Sequence, residues 1–274
     1  MGAKYRKIAH DLRERITRGT LAPGAALPYM KDIAAGEGVS DITVRKALAE
    51  LSREGLIESR GRAGWYVRLH PSRTRLTVRH RSVERDDLGY YSGPESQGWR
   101  PLPWEGSSPQ VDTAPVPVDV AEILGVAPES PQTIRRRIVG DPDRAEHRQL
   151  ADSWLAPWIV DEVPQTASND TGPGGLVDRV EQWAGRPLTW REVASARMPT
   201  PEEATLLGMP RTGAALLRVL RIAYLSGRGR GAPRTVEVQD VRMSGDLFAL
   251  GYPVPRGPSA RWPVPAATGA PAGE

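Results

Sequence analysis

Apolar residues recur at helical spacing through the first fifth of the chain. Ile8, Leu12 and Ile16 stand four apart with Tyr5 on the same side, and Lys7, Arg13, Glu14 and Arg18 occupy the other faces. This predicts a helix from Tyr5 to Arg18, ended by Gly19. Pro23-Gly24 marks a turn, Leu27-Pro28 leads into a second helix near Tyr29 to Ala35, and Gly36 and Gly38 frame a tight turn. A third helix opens at Ser40, whose hydroxyl can accept from the free amides of the first turn. Val44, Ala47, Leu48 and Leu51 make its buried face, and Gly55 closes it where a left-handed residue is usual. Leu56 to Ser59 and Trp65 to Leu69 read as two strands, with Arg60 and Arg62 at the tip between them.

From about His70 to Gln110 the periodicity loosens. Arginines give way to Asp86-Asp87, then to aromatic residues set among Pro and Gly: Tyr90-Tyr91, Gly98-Trp99-Arg100-Pro101 and Pro103-Trp104-Glu105-Gly106. Residues 71–110 therefore read as a linker and the entry to a second domain. Periodicity returns at Val111. Asp119 to Leu124 is a short helix stopped by Gly125. Thr133 to Val139 is a strand with Ile134, Arg136 and Ile138 on one face and Arg135 and Arg137 on the other, and Arg148 to Leu155 returns after the turn at Asp141-Pro142-Asp143. A helix follows Gly172-Pro173-Gly174-Gly175 and runs to about Ala184, and Leu188 to Met198 is extended. Thr200-Pro201-Glu202-Glu203 starts another helix that ends at Gly208. Leu216 to Leu225 and Thr235 to Arg242 are the last strands. Helices mixed with adjacent hairpins predict an antiparallel sheet with helices against it, an α+β body over 111–252. The Pro- and Ala-rich stretch 253–274 is expected to be a disordered tail.

The head, 1–70, has the order of a winged helix-turn-helix. Charge agrees with that reading. Residues 1–80 hold 16 Lys and Arg against 8 Asp and Glu, whereas the whole chain of 274 residues is only +4. A basic head on an acidic body suits a DNA-binding module joined to a part that does not touch DNA. The polar start of the third helix, with Ser40, Asp41, Thr43, Arg45 and Lys46, suits a major groove. Lys31 before it, and Arg60, Arg62 and Gly64 in the wing, complete the candidate DNA surface. A solvated helix face and a charged hairpin tip are the plainer alternatives. Cysteine is absent, which excludes disulfides and thiolate metal sites. No catalytic set, metal or cofactor is expected. There is no apolar run behind the first charges and no long apolar segment, so a cytoplasmic chain with no membrane partner is expected.

The run Tyr5-x-x-Ile8-Ala9-x-x-Leu12-Arg13-x-x-Ile16-x-x-Gly19-x-Leu21-x-Pro23-Gly24-x-x-Leu27-Pro28, followed by Gly38-Val39-Ser40-x-x-Thr43-Val44-Arg45-x-Ala47-Leu48-x-x-Leu51-x-x-Glu54-Gly55-Leu56-Ile57, resembles the opening of the GntR superfamily of bacterial transcription regulators. Three departures bear on operator preference. Tyr29-Met30-Lys31 stands where the family usually has Ser-Glu-Arg, Asp41 where it has Arg, and Arg62-Ala63-Gly64-Trp65 where the wing reads Gly-x-Gly-Thr. The body is similar to the effector-binding (UTRA) domain of the HutC subfamily. The similarity lies in Arg135-Arg136-Arg137-Ile138, Ser153-Trp154-Leu155-x-Pro157, Pro199-Thr200-x-Glu202-Glu203-Ala204-x-x-Leu207-Gly208, Leu217-x-x-x-Arg221-x-x-Tyr224 and Val236-Glu237-Val238, in that order. This resemblance implies a chorismate-lyase-like fold, a small-molecule effector and a homodimer. Arg135 and Arg137 share a strand face, and if it lines a cleft their guanidiniums can hold a carboxylate or phosphate. The resemblance adds Trp154, Tyr224 and Glu237 around the pocket. The alternatives are an ion-pair network of the arginines with Asp152 or Glu237, and core packing for Trp154 and Tyr224.

The expected function is a ligand-responsive repressor, not an enzyme, that binds a palindromic double-stranded operator as a homodimer. An effector-free regulator of a mobile element and a DNA-binding head on a lyase-like enzyme are the alternatives. A pyridoxal-phosphate body is excluded, since it needs a Schiff-base lysine and the last lysine is Lys46.

Overall fold

The computed structural model describes residues 2–68, 76–78, 84–85, 91–92, 99–103, 108–144, 146–210, 213–227, 231–257 and 260. Three helices open the chain, α1 (Gly2–Thr17), α2 (Met30–Glu37) and α3 (Asp41–Arg53), and a hairpin follows, β1 (Ile57–Ser59) with β2 (Trp65–Val67). Ile8, Leu12 and Ile16 of α1, Ala34 of α2, and Val44, Ala47, Leu48 and Leu51 of α3 meet Ile57 and Val67 in one core. The three- and four-residue spacing gives each helix a single apolar stripe, and the three stripes face one another. Gly38 (φ 59°) makes the sharp turn before α3 and Gly55 (φ 74°) the turn after it. Ser40 holds the position before α3 with extended backbone, but its hydroxyl caps no amide and instead lies 3.1 Å from the Thr43 hydroxyl. The expected side-chain cap is thus corrected; the Ser40 carbonyl still accepts the first helical bonds, from the amides of Thr43 and Val44.

Four short strands come next: β3 (Leu76–Val78), β4 (Glu84–Arg85), β5 (Tyr91–Ser92) and β6 (Arg100–Pro101). The body then runs β7 (Gln110–Pro115), α4 (Val118–Leu124), β8 (Pro131–Gly140), β9 (Arg148–Leu155), α5 (Pro157–Glu162), α6 (Gly175–Ala184), β10 (Leu188–Arg197), α7 (Pro201–Leu206), β11 (Leu216–Leu225), β12 (Arg234–Ser244) and β13 (Phe248–Leu250). Seven of these strands form one sheet in the order β10-β11-β12-β9-β8-β6, with β7 also on β8, and every pairing in it is antiparallel. β13 pairs with β3 in parallel, and β4 pairs with β5. Most of the tail expected to be disordered lies outside the described residues.

Strand alternation divides the sheet into two faces. On one, Leu155 and Ala223 pack under Ile159 of α5 and Val180 of α6, and further along Val219, Val241 and Met243 meet Phe248 and Trp99. On the other, Ile134, Trp154, Val238, Leu220 and Ile222 pack under α4, and Ile138, Leu150 and Leu216 pack under α7. Charge separates these last two clusters. Arg218 pairs with Asp119 and Asp240, and Arg242 with Asp152 and Glu203. No helix among the described residues is long and apolar enough to cross a membrane.

Head and body meet backbone to backbone. Gly55 and Gly213 (φ 78°) lie so close that a Cβ on either would collide with the other. Arg68, buried beside them, donates to the carbonyls of Gly55 (3.3 Å) and Gly213 (2.9 Å) and pairs with Asp246.

Candidate functional site

Helix α3 buries one face and exposes Asp41, Ile42, Arg45 and Lys46. Residues 42, 45 and 46 are three and four apart and share a stripe. None of the charged residues in this group forms an ion pair among the described residues. Thr43 is engaged by Ser40. Lys31, exposed at the start of α2, lies 6.0 Å from the centre of the Tyr29 ring. In the wing, a single 3-10 turn spans Gly61–Ala63, and Gly64 (φ 98°) takes a backbone shape that a side chain would strain. Arg60 is held within the hairpin, 2.8 Å from Glu58 and 4.5 Å over the Tyr66 ring. Arg62 stands exposed at the tip.

The second site lies on the sheet face under α5 and α6. Register sets Arg135 of β8 opposite Ser153 of β9, Ser153 opposite Gln239 of β12, Gln239 opposite Arg221 of β11, and Arg221 opposite Glu192 of β10. Five strands thus place a polar row between two apolar clusters. Arg135 is 3% exposed and donates to the carbonyls of Thr166 (2.9 Å) and Ser168, in the turn that follows α5. Arg137, two residues along the same face, donates to the Ser153 hydroxyl at 3.1 Å and forms no ion pair among the described residues. Arg221 is paired with Glu192 at 2.8 Å. Glu237, one step above the row, opposes Leu155 and Ala223 and is nearly buried.

The structure therefore brings Arg135, Arg137 and Glu237 to one face. Trp154 and Tyr224 lie on the other: Trp154 opposes Ile134 and Val238 in the cluster under α4, and Tyr224 packs against that cluster. Asp152 also faces away, toward Arg242, so it does not neutralise Arg135 or Arg137. Ser153, Gln239, Arg221 and Glu192 join the site only through strand register, which local pattern does not reveal.

The sequence pattern of the gntR family of bacterial regulatory proteins matches residues 4–67, and that of the UTRA domain matches residues 110–248. The head is 46% identical over 70 residues to MngR, the mannosyl-D-glycerate transport/metabolism system repressor of Escherichia coli K12. That alignment covers 25% of this chain and 29% of MngR, under a third of the relative's length. The transcriptional repressor NagR of Bacillus subtilis is 25% identical over 224 residues, 81% of this chain and 84% of NagR. A crystal structure assigned to the GntR-family transcriptional regulators superposes with a TM-score of 0.62 at 28% identity, covering 93% of this chain and 99% of that one.

Proposed function

The chain belongs to the GntR family of bacterial regulators, with a UTRA domain behind the DNA-binding head, and from that premise we propose a cytoplasmic repressor controlled by a small anionic molecule. Residues 1–70 bind DNA, 71–110 connect, 111–252 sense the effector and dimerise, and 253–274 are a tail. Two copies set two α3 helices against the half-sites of a palindromic operator. Lys31, Ser40, Asp41, Thr43, Arg45, Lys46, Arg60, Arg62 and Gly64 make up the DNA surface. That MngR and NagR are repressors supports this sign of control.

Arg137 is the observation that carries the effector reading. It is a guanidinium one step along the strand from the polar row, level with Ala151, with the Ser153 hydroxyl as its hydrogen-bond partner and no carboxylate paired to it among the described residues. A guanidinium so placed attracts an anion, and a carboxylate or phosphate can take its fork bidentately. Arg135 braces the turn at Thr166–Ser168 and adds charge. Glu237, two strands away, accepts from a hydroxyl or amine at the far end of the ligand.

A thermal-shift panel of sugar phosphates, amino acids and amino-acid catabolites tests this reading, followed by a gel shift on the DNA upstream of the coding sequence. The expected result is a compound that raises Tm and also releases the DNA. A flat panel with intact operator binding would favour the effector-free regulator, and turnover of chorismate would restore the enzyme reading.

A further inference from the structure

The exposed face of α3 holds two residues that take part in neither the core nor any ion pair among the described residues. Ile42 is 66% exposed and takes no part in the apolar core of the head. Asp41 is exposed and makes no ion pair among the described residues, although Arg45 stands four positions on. A lone exposed isoleucine is ordinary on a protein surface. This one sits between Arg45 and Lys46 on the helix face that enters the groove, so DNA binding takes its side chain out of water. The apolar group that a major groove presents is the thymine 5-methyl. A carboxylate on the same face is repelled by the phosphates. It gains where it accepts from a base amino group, and cytosine N4 is the donor that matches an acid.

We propose that α3 reads its half-site through a thymine methyl packed on Ile42 and a cytosine amino group donating to Asp41, with Arg45 and Lys46 on the flanking phosphates. The inference rests on the DNA-binding assignment, and the experiment separates the two. Duplexes enriched from random DNA by the full-length chain are resynthesised with each thymine replaced in turn by deoxyuridine, which removes only the methyl. One thymine per half-site is expected to lose about fourfold in affinity, the size of one buried methyl group. That loss should vanish in Ile42→Ala. Asp41→Ala should lose its preference for cytosine at one position while binding competitor DNA more tightly, because a repulsive charge has gone. Both side chains lie outside the core, so the variants keep the fold. A uracil effect that persists in Ile42→Ala, or is absent in the parent chain, overturns the methyl contact. An Asp41→Ala chain that still prefers cytosine and binds competitor no more tightly overturns the role of the acid. A chain that enriches no sequence overturns the DNA-binding assignment itself, which is a separate failure.

Discussion

Arg135 and Arg137 are alike in type and neighbours on one strand face, yet their surroundings predict opposite consequences of removal. Arg135→Ala leaves the carbonyls of Thr166 and Ser168 without a donor, and Thr166 is fully buried. Leaving the buried Thr166 carbonyl unsatisfied costs about 1–3 kcal/mol, whereas Ser168 is exposed and its carbonyl can turn to water. Arg137→Ala removes the donor to the buried Ser153 hydroxyl, but Arg137 is itself only half-buried and water can follow into its place, so the cost is roughly 0.5–1 kcal/mol. The variant should nevertheless lose the response to the effector. Urea unfolding and ligand-dependent DNA release, measured on both variants, separate the roles. If Arg137→Ala is as unstable as Arg135→Ala, Arg137 is a structural residue. The shared face of these arginines was legible in the sequence, because a strand alternates with period two and Ile134 and Ile138 mark the opposite side. The faces of Trp154 and Tyr224 were not. A motif gives the order of residues along each strand but not how strands align, and at Tyr224 a bulge in the pairing with β12 shifts the register as well.

Among the elements, α7 is the one whose local chemistry reaches furthest. Its start was readable because a capping box is written within four residues, and both bonds form: the Thr200 hydroxyl accepts from the Glu203 amide at 3.2 Å, and the Glu203 carboxylate accepts from the Thr200 amide at 2.9 Å. The same carboxylate accepts from Arg197 at 2.6 and 2.7 Å and from Arg242 at 2.9 Å. Burial opposes its charge, but these donors outweigh burial and pull its pKa down to about 2. A carboxyl lowered on folding stabilises above its unfolded pKa near 4.5, and the gain is lost as pH falls from there toward 2. The shift corresponds to about 3 kcal/mol. Asp152 works in the other direction: burial raises its pKa despite Arg242, so it favours the fold as pH falls. Glu203→Gln should therefore be less stable than the parent at pH 7, with the gap narrowing by pH 3. Urea midpoints at both values check this, and a gap independent of pH would remove Glu203 from the account. The elements missed in the sequence share a different cause. α5 is a six-residue helix that follows directly on β9, too short to show a period. β6 and β13 exist through their pairing with β8 and β3 rather than through any pattern of their own.

At the scale of the whole molecule, the question is how a ligand on the sheet could change the hold of α3 on DNA. Gly55 follows the last turn of α3. Gly213 leads through Ala214 and Ala215 into β11, and the Gly245 amide, just past the end of β12, donates to the Ala215 carbonyl at 2.9 Å. Arg68 ties these points together through Gly55, Gly213 and Asp246. The strands that end at this joint are the two that carry Arg221 and Gln239 into the polar row. From Leu216 to Arg221 is five residues, about 17 Å of extended chain. Both strands are paired on both sides within the sheet, so they offer a continuous hydrogen-bonded route from the row to the joint. Arg68 touches neither the exposed stripe of α3 nor the row. Arg68→Ala should therefore leave operator affinity without ligand, and ligand affinity without DNA, each within about threefold, while the factor by which one changes the other falls toward one. Coupling is reciprocal, and a tenfold effect equals about 1.4 kcal/mol. Four titrations close the cycle: operator with and without ligand, and ligand with and without operator. Arg68→Lys keeps the charge beside Asp246 but lacks the fork that reaches both carbonyls, so its coupling should be intermediate. If Arg68→Ala keeps the parent's coupling, the signal crosses elsewhere, and the close approach of Gly55 and Gly213 is a matter of packing alone.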